Sequence, residues 1–282
     1  MESCQLFGWG PGGWNMIKLR RKAGRMKKNL LSIAGYDPSG GAGVGLDIQV
    51  FRHLGFRGSG ILTSVTVQNA AEMKKAFHLP PGLVRSQYEA LVEGTRFGGI
   101  KTGMTGTLEN LAAAARILAA NPSIPRVVDP VFRSSSGALL LEKRAVPRFL
   151  GLMKSKASLI TPNLDEASAL TGLLIRTVED MKEAALRICR SGLVPCLVKG
   201  GHLRGEVADV LFDGRAYAVF RHERLDKRVH GTGCFLSAAI LGYLACGRGL
   251  EEACRRAIGL TVQGIRKAAP AGKGRAAFSF PF

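Results

Sequence analysis

One plan recurs along this chain: a short β-branched or apolar run stops at glycine, proline or a polar pair, and a segment of helical character follows. Residues 29–34 stop at Gly35, 60–67 at Gln68-Asn69, and 99–102 at Gly103. Residues 126–131 carry Asp129-Pro130, 159–160 stop at Thr161-Pro162, and 194–198 stop at Lys199-Gly200-Gly201. Runs this short and this apolar read as strands buried on both faces, and intervening helices require parallel crossovers. Residues 46–54, 83–94, 108–119, 235–245 and 250–267 supply the helical patterns. The expected fold is α/β: about six mainly parallel strands in a central sheet with helices on both faces. Residues 207–212 and 215–220 around Asp213-Gly214 add a hairpin, and 73–79 read as a further short strand.

Composition narrows the class. With 282 residues, 46% of them hydrophobic, the chain is long enough for one large domain. No apolar run approaches the roughly 18–20 residues of a membrane span, and no apolar leader with a small-residue cleavage site opens the chain, so the expected compartment is the cytoplasm. Six cysteines without a C-x-x-C and five scattered histidines argue against a disulfide framework and a transition-metal site. The net charge of +19 is partly local, since residues 1–28 hold seven Lys and Arg against Glu2. That segment lacks hydrophobic periodicity and reads as a disordered basic extension, leaving 29–282 as one domain. No aromatic-plus-basic motif accompanies the remaining charge. A surface suited to anionic, phosphorylated ligands is the milder explanation, and nucleic acid is not the expected partner.

The polar residues worth attention cluster at the C-terminal edges of the strands, where open α/β sheets bind ligands. His230-Gly231-Thr232-Gly233-Cys234 runs straight into the apolar residues 235–245. This is a helix N-terminus, an anion site by virtue of unpaired N–H groups and the helix dipole, and it biases Cys234 toward thiolate. A plain helix cap with a packed cysteine fits the same five residues. The glycine-rich turn 36–45 matches neither standard nucleotide-phosphate loop, because Leu46 stands where a third glycine is needed and no Lys-Ser or Lys-Thr follows. Gln68 offers an amide for a heterocycle edge, or simply a turn with Asn69. Met104 suits a flat-ring pocket wall or ordinary packing. Asn163 and Glu166, three apart at a helix start, suit water-mediated Mg²⁺, and equally a capping box. Lys199 can meet a phosphate as a point charge.

In order along residues 29–270, Ala34-Gly35, Asp37-Pro38-Ser39-Gly40-Gly41-Ala42-Gly43, Val65-Thr66-Val67-Gln68-Asn69, Lys101-Thr102-Gly103-Met104, Asp129-Pro130-Val131, Thr161-Pro162-Asn163-Leu164 with Glu166, Lys199-Gly200-Gly201-His202 and the His230–Cys234 turn resemble the hydroxymethylpyrimidine/phosphomethylpyrimidine kinases of thiamine biosynthesis. The resemblance implies a ribokinase-like fold, a homodimer, and Mg-ATP as phosphoryl donor. The expected reaction phosphorylates 4-amino-5-hydroxymethyl-2-methylpyrimidine, then its monophosphate to the diphosphate. By the same resemblance Gly35, Ala42, Asp47, Gln68, Met104 and Val131 line the pyrimidine pocket. Asp129 and Glu166 serve the metal, Asn163, Lys199 and Thr232 the nucleotide phosphates. Gly231, Thr232, Gly233 and Cys234 form the anion hole, with Cys234 helping to deprotonate the attacking hydroxyl and Lys199 contributing to catalysis.

Three departures accompany the resemblance. Phe132-Arg133 sets a bulky ring and a cation beside the pocket, where Arg133 would hold a monophosphate; Phe235 follows the cysteine in place of a small polar residue; and residues 273–282 depart from the usual ending. The rivals are a pyridoxal/pyridoxine kinase on the same fold and a non-catalytic nucleic-acid- or ligand-binding protein.

Overall fold

The computed structural model describes residues 28–69, 71–134, 137–201, 207–271 and 274–280. Of the expected basic extension only Lys28 falls among them, and His202, Ser135, Ser136 and Lys273 also lie outside. In chain order the elements are β1 (Asn29–Tyr36), α1 (Gly43–His53), β2 (Arg57–Gln68), β3 (Met73–His78), α2 (Pro81–Gly94), β4 (Phe97–Thr102), α3 (Leu108–Ala119), β5 (Arg126–Val128), α4 (Phe149–Met153), β6 (Leu159–Ile160), α5 (Leu164–Thr171), α6 (Val178–Gly192), β7 (Cys196–Val198), β8 (Val207–Phe212), β9 (Tyr217–His222), α7 (Thr232–Ala245), α8 (Leu250–Lys267), β10 (Ala269–Pro270) and β11 (Ala276–Ala277).

β1 to β9 form one sheet in the order β3-β2-β1-β4-β5-β6-β7-β8-β9. The six strands from β2 to β7 in that order are mutually parallel, as the sequence pattern requires; β3 and β8 run antiparallel to them at the two edges, and β9 pairs antiparallel with β8. Side chains alternate across a strand, so consecutive apolar residues divide between two cores. Leu30, Val127, Leu159 and Leu197 join α1, α7 and α8 on one face. Their neighbours Leu31, Val128 and Ile160 join α2, α3 and α4 on the other, and Cys196 and Val198 join α5 and α6. α7 packs on β4 and β5 between α1 and α8, which is why it is apolar around its whole circumference.

The chain leaves β1 for β2 on one side and later takes up β4 on the other. The carboxyl ends of β1 and β4 therefore flank a topological switch point, the place where such sheets open a crevice. Element ends shift from the sequence reading for local reasons. β9 starts at Tyr217 rather than residue 215 because the Asp213 carboxylate accepts from the N–H groups of Arg215 and Ala216, holding both in the turn. α7 starts at Thr232 rather than 235, so the helix begins inside the glycine motif. Among the described residues no helix is long and apolar enough to cross a membrane.

Candidate active site

Gly231 precedes α7 with φ +76°, and a Cβ there would come within 2.0 Å of the Gly41 carbonyl oxygen. Only glycine allows both the left-handed turn and this close approach. The turn therefore sits directly against the β1–α1 loop, and no side chain caps the first N–H groups of α7. The N–H of Gly43, first residue of α1, lies near enough to the Cys234 sulfur to favour its thiolate. Two helix N-termini thus converge on one partly buried thiol. The expected bias toward thiolate is not what results. Burial pushes the thiol up to about 11, outweighing the opposing pull of the Lys101 ammonium, so Cys234 carries its proton at neutral pH.

Beside that helix end lies a charged cluster drawn from three strand ends. Lys199, just past β7, donates to Asp129 Oδ1 at 2.7 Å, and an ideal Cβ on Gly233 would stand 3.2 Å from Lys199 Nζ and 3.7 Å from Asp129 Oδ2. Thr161 Oγ1 donates to Asp129 Oδ1 (3.2 Å), and Ser237 Oγ to Oδ2 (3.2 Å). Burial alone would raise the Asp129 carboxyl, yet Lys199 and Lys101 hold it below its ordinary value. Asn163 and Glu166 form a capping box on α5: the Asn163 side chain accepts from the Glu166 N–H (2.9 Å), and Glu166 Oε2 accepts from the Asn163 N–H (2.8 Å). Glu166 Oε1 also accepts from the Phe132 N–H (3.4 Å). Burial, reinforced by the Asp129 carboxylate and opposed by Lys199, raises Glu166 to about 7. Among the described residues no three His, Cys, Asp or Glu side chains converge as direct metal ligands. Two hard, mutually repelling carboxylates that retain free lone pairs do fit a hydrated divalent cation held through its waters.

Across the switch point, Gly35 at the end of β1 faces Met104 past β4, a Cβ on the glycine falling 2.9 Å from the Met104 sulfur. Thr63 Oγ1 fixes this turn by donating to the Met104 carbonyl at 2.6 Å. Ala42 is the N-cap of α1, Gln68 ends β2, and Val131 follows Asp129; all three are partly open. These five residues share one edge with the anion hole. Asp47 does not line it. The residue has no exposed surface, its carboxylate receives two bonds of 2.8 Å from Lys101 and one of 2.6 Å from Ser32, and it serves instead as the buried counter-charge of that lysine. Phe132 is likewise turned inward, its ring edge-on to Phe149 at 5.4 Å, and exposed Arg133 donates to the Gly137 carbonyl of its own turn.

Two parts of the site escaped the sequence reading. Lys101 was detectable, since a lysine inside a buried strand requires a partner; Asp47 outweighs the effect of burial and holds its ammonium above the ordinary range. The other is His230, whose Nε2 lies 2.8 Å from Asp37 Oδ2 and 2.8 Å from the Gln68 amide nitrogen.

A doubly covered parallel sheet, an uncapped helix end at its switch point and a lysine-carboxylate cluster beside it define a small-molecule phosphotransferase of ribokinase-like fold. The chain belongs to the phosphomethylpyrimidine kinase family, whose sequence profile matches residues 37–279. It is 37% identical over 246 residues to the hydroxymethylpyrimidine/phosphomethylpyrimidine kinase of Aquifex aeolicus, covering 86% of this chain and 96% of that one. It is 40% identical over 260 residues to a thiamine biosynthesis bifunctional protein of Geobacter sulfurreducens, matching 92% of this chain but 53% of the longer relative. Among solved structures, the phosphomethylpyrimidine kinase of Clostridium difficile superimposes with a TM-score of 0.74 at 34% identity, over 85% of this chain and 100% of that one. The pyridoxal kinase of Staphylococcus aureus in complex with pyridoxal gives 0.82 at 30% identity, over 90% and 94%.

Proposed function

We propose that this chain transfers the γ-phosphoryl group of Mg-ATP to the hydroxymethyl oxygen of 4-amino-5-hydroxymethyl-2-methylpyrimidine, and to its monophosphate to give the diphosphate. The observation that carries this reading is the convergence of the α1 and α7 N-termini on Cys234, beside Lys199, with Gln68 2.8 Å from His230 of the same turn. Bare N–H groups of Gly231 to Cys234 stabilise the charge that develops on the transferring phosphoryl, and Lys199 neutralises the donor phosphates with Asn163 and Thr232 beside them. Asp129 and Glu166 would hold Mg²⁺ through its waters, and the ion would supply neutralisation of phosphate charge. Gly35, Ala42, Gln68, Met104 and Val131 hold the ring.

Cys234, protonated at rest, acts here by directing its S–H toward the transferring phosphoryl group; as the bond from the hydroxymethyl oxygen to phosphorus forms and the bond to the ADP leaving group breaks, the hydroxyl proton passes to an oxygen of the transferred phosphate. Cys234→Ala is expected to lower kcat about tenfold with little change in KM, because the backbone donors remain; an unchanged kcat would remove the thiol from the mechanism. Gln68→Ala should raise the KM for the pyrimidine about tenfold, the worth of one or two hydrogen bonds, and an unaltered KM would move the pocket elsewhere.

The enzyme is expected to act in the cytoplasm as a homodimer. Tyr36, Val65 and Phe77 lie in register across β1, β2 and β3 and are 42%, 38% and 52% exposed, an apolar row suited to cover by a second copy. Sedimentation at micromolar concentration should give twice the chain mass, and Phe77→Glu should halve it. The assignment as a whole is tested by offering the purified protein Mg-ATP with hydroxymethylpyrimidine, its monophosphate or pyridoxal. Diphosphate formation supports it, whereas turnover of pyridoxal alone would transfer it to the pyridoxal kinases with which the chain shares its fold.

A further inference from the structure

His230 Nε2 stands 2.8 Å from both Asp37 Oδ2 and the Gln68 amide nitrogen. One ring nitrogen carries either a proton or a lone pair, so it cannot donate to the first and accept from the second. The carboxylate decides between them. Asp37 Oδ1 is already bonded by the Ser39 N–H (2.9 Å) and hydroxyl (2.8 Å). Although burial opposes it, the bonds from His230 and Ser39 hold Asp37 below its ordinary value and therefore ionised. An ionised carboxylate 2.8 Å away requires an N–H on Nε2. A ring N–H placed between two partners in turn requires an acceptor on the Gln68 side. The two ends of an amide are nearly isosteric, and a half-turn about the last torsion of Gln68 sets its carbonyl oxygen at the same point.

We propose that Asp37 and His230 are positioning residues that fix the Gln68 amide with its carbonyl on His230 and its NH₂ directed into the substrate crevice, so that the site selects a heteroaromatic ring presenting a lone-pair nitrogen. Rigid supports favour such selection. Asp37 is buried, and the imidazole lies so close on the β1–α1 loop that a Cβ at Gly41 would fall 2.5 Å from its Cδ2. The backbone N–H of His230 is held separately, by the Ala276 carbonyl at 2.9 Å. A site whose buried polar group is oriented in advance rejects a ligand that lacks the complementary atom more strongly than a freely rotating amide does. This inference deepens the pyrimidine-kinase reading and rests on it for the identity of the ring.

Two measurements test it. In the ligand-free protein, long-range ¹H–¹⁵N NMR of His230 should find hydrogen on Nε2; a lone pair there would overturn the proposal whatever the substrate proves to be. Gln68→Glu can still accept from His230 but has no hydrogen to give, and should weaken pyrimidine binding at least tenfold, with the KM for ATP unchanged. Asp37→Asn accepts either tautomer and should weaken pyrimidine binding severalfold, again without moving the KM for ATP. Retained affinity in Gln68→Glu would mean that the amide presents its carbonyl to the ligand and would overturn the proposal. If the wild-type enzyme phosphorylates none of the three candidate substrates, the pyrimidine reading fails by itself and the tautomer result still stands or falls alone.

Discussion

Lys199→Met should lower kcat by about 10²–10³ and destabilise the fold by about 3 kcal/mol, and the two effects should separate on adding a second change. The catalytic loss has the size observed when one preorganised electrostatic donor is removed from a transition state. It is assigned to Lys199 because the ammonium lies at the N-terminal turn of α7, 3.2 Å from where a side chain on Gly233 would begin. The stability loss has another origin. Asp129 is 2% exposed, and Lys199 at 2.7 Å is the nearest cation bonded to it, so truncating the lysine leaves a buried carboxylate without its bonded counter-charge. Each partner is shifted toward its charged form by the other against the effect of burial, as a pair that is stable only when both are ionised should be. Adding Asp129→Asn to Lys199→Met removes the orphaned charge while keeping a carbonyl that accepts from Thr161 and an NH₂ that can donate to the Ser237 hydroxyl, which also donates to the Gly233 carbonyl. The double variant should regain most of the stability and none of the turnover. Chemical denaturation and single-turnover kinetics on the same three proteins check this; near-normal turnover in Lys199→Met would sink the assignment.

How much of this was legible beforehand depended on sequence distance. The strand-stop-helix plan is local, so the sheet, its two apolar faces and the edge carrying Gly35, Met104, Asp129 and Lys199 followed from short windows of residues. The glycine turn at 230–234 was legible for the same reason, because φ > 0 and bare helix N–H groups are requirements a few residues can meet. What was not legible involved partners far apart in the chain. Asp37 and His230 are separated by 193 positions and Gln68 and His230 by 162, and nothing in an Asp-Pro-Ser-Gly turn distinguishes a carboxylate that closes its own loop from one that also orients a distant imidazole. The resemblance alone places Asp47 in the pocket, but helix α1 turns it inward to Lys101. For Cys234 both competing effects were known in kind. A helix N-terminus lowers a thiol and burial raises it, and the balance depends on how much water the fold excludes, which only the packing decides.

Glu166 offers the sharpest separation between a structural and a chemical role, because the capping box and the metal reading predict opposite things for Glu166→Gln. Glutamine is accepted at the third position of a capping box, so the bond from the Asn163 N–H survives and the fold should be retained. The charge does not survive. Glu166 is raised to about 7 by burial and the neighbouring Asp129 carboxylate, above the ordinary value of 4.5 that it takes when unfolded. A carboxyl raised in the folded state stabilises the fold fully below that unfolded value, and the contribution is lost as pH climbs through about 7. Wild-type stability should therefore fall relative to Glu166→Gln between pH 5 and 7.5, by on the order of 2–3 kcal/mol, so that the variant is the more stable protein at neutral pH. The same substitution should cost 10- to 100-fold in turnover and raise the Mg²⁺ concentration needed for half-maximal rate, the usual size of losing one outer-shell partner of a metal. Urea unfolding at the two pH values, read beside an Mg²⁺ titration of activity, distinguishes the cases. Parallel stability curves with unchanged Mg²⁺ dependence would reduce Glu166 to a helix cap. A variant that is stabler and slower would mean that the fold retains a costly buried charge because the ion needs it.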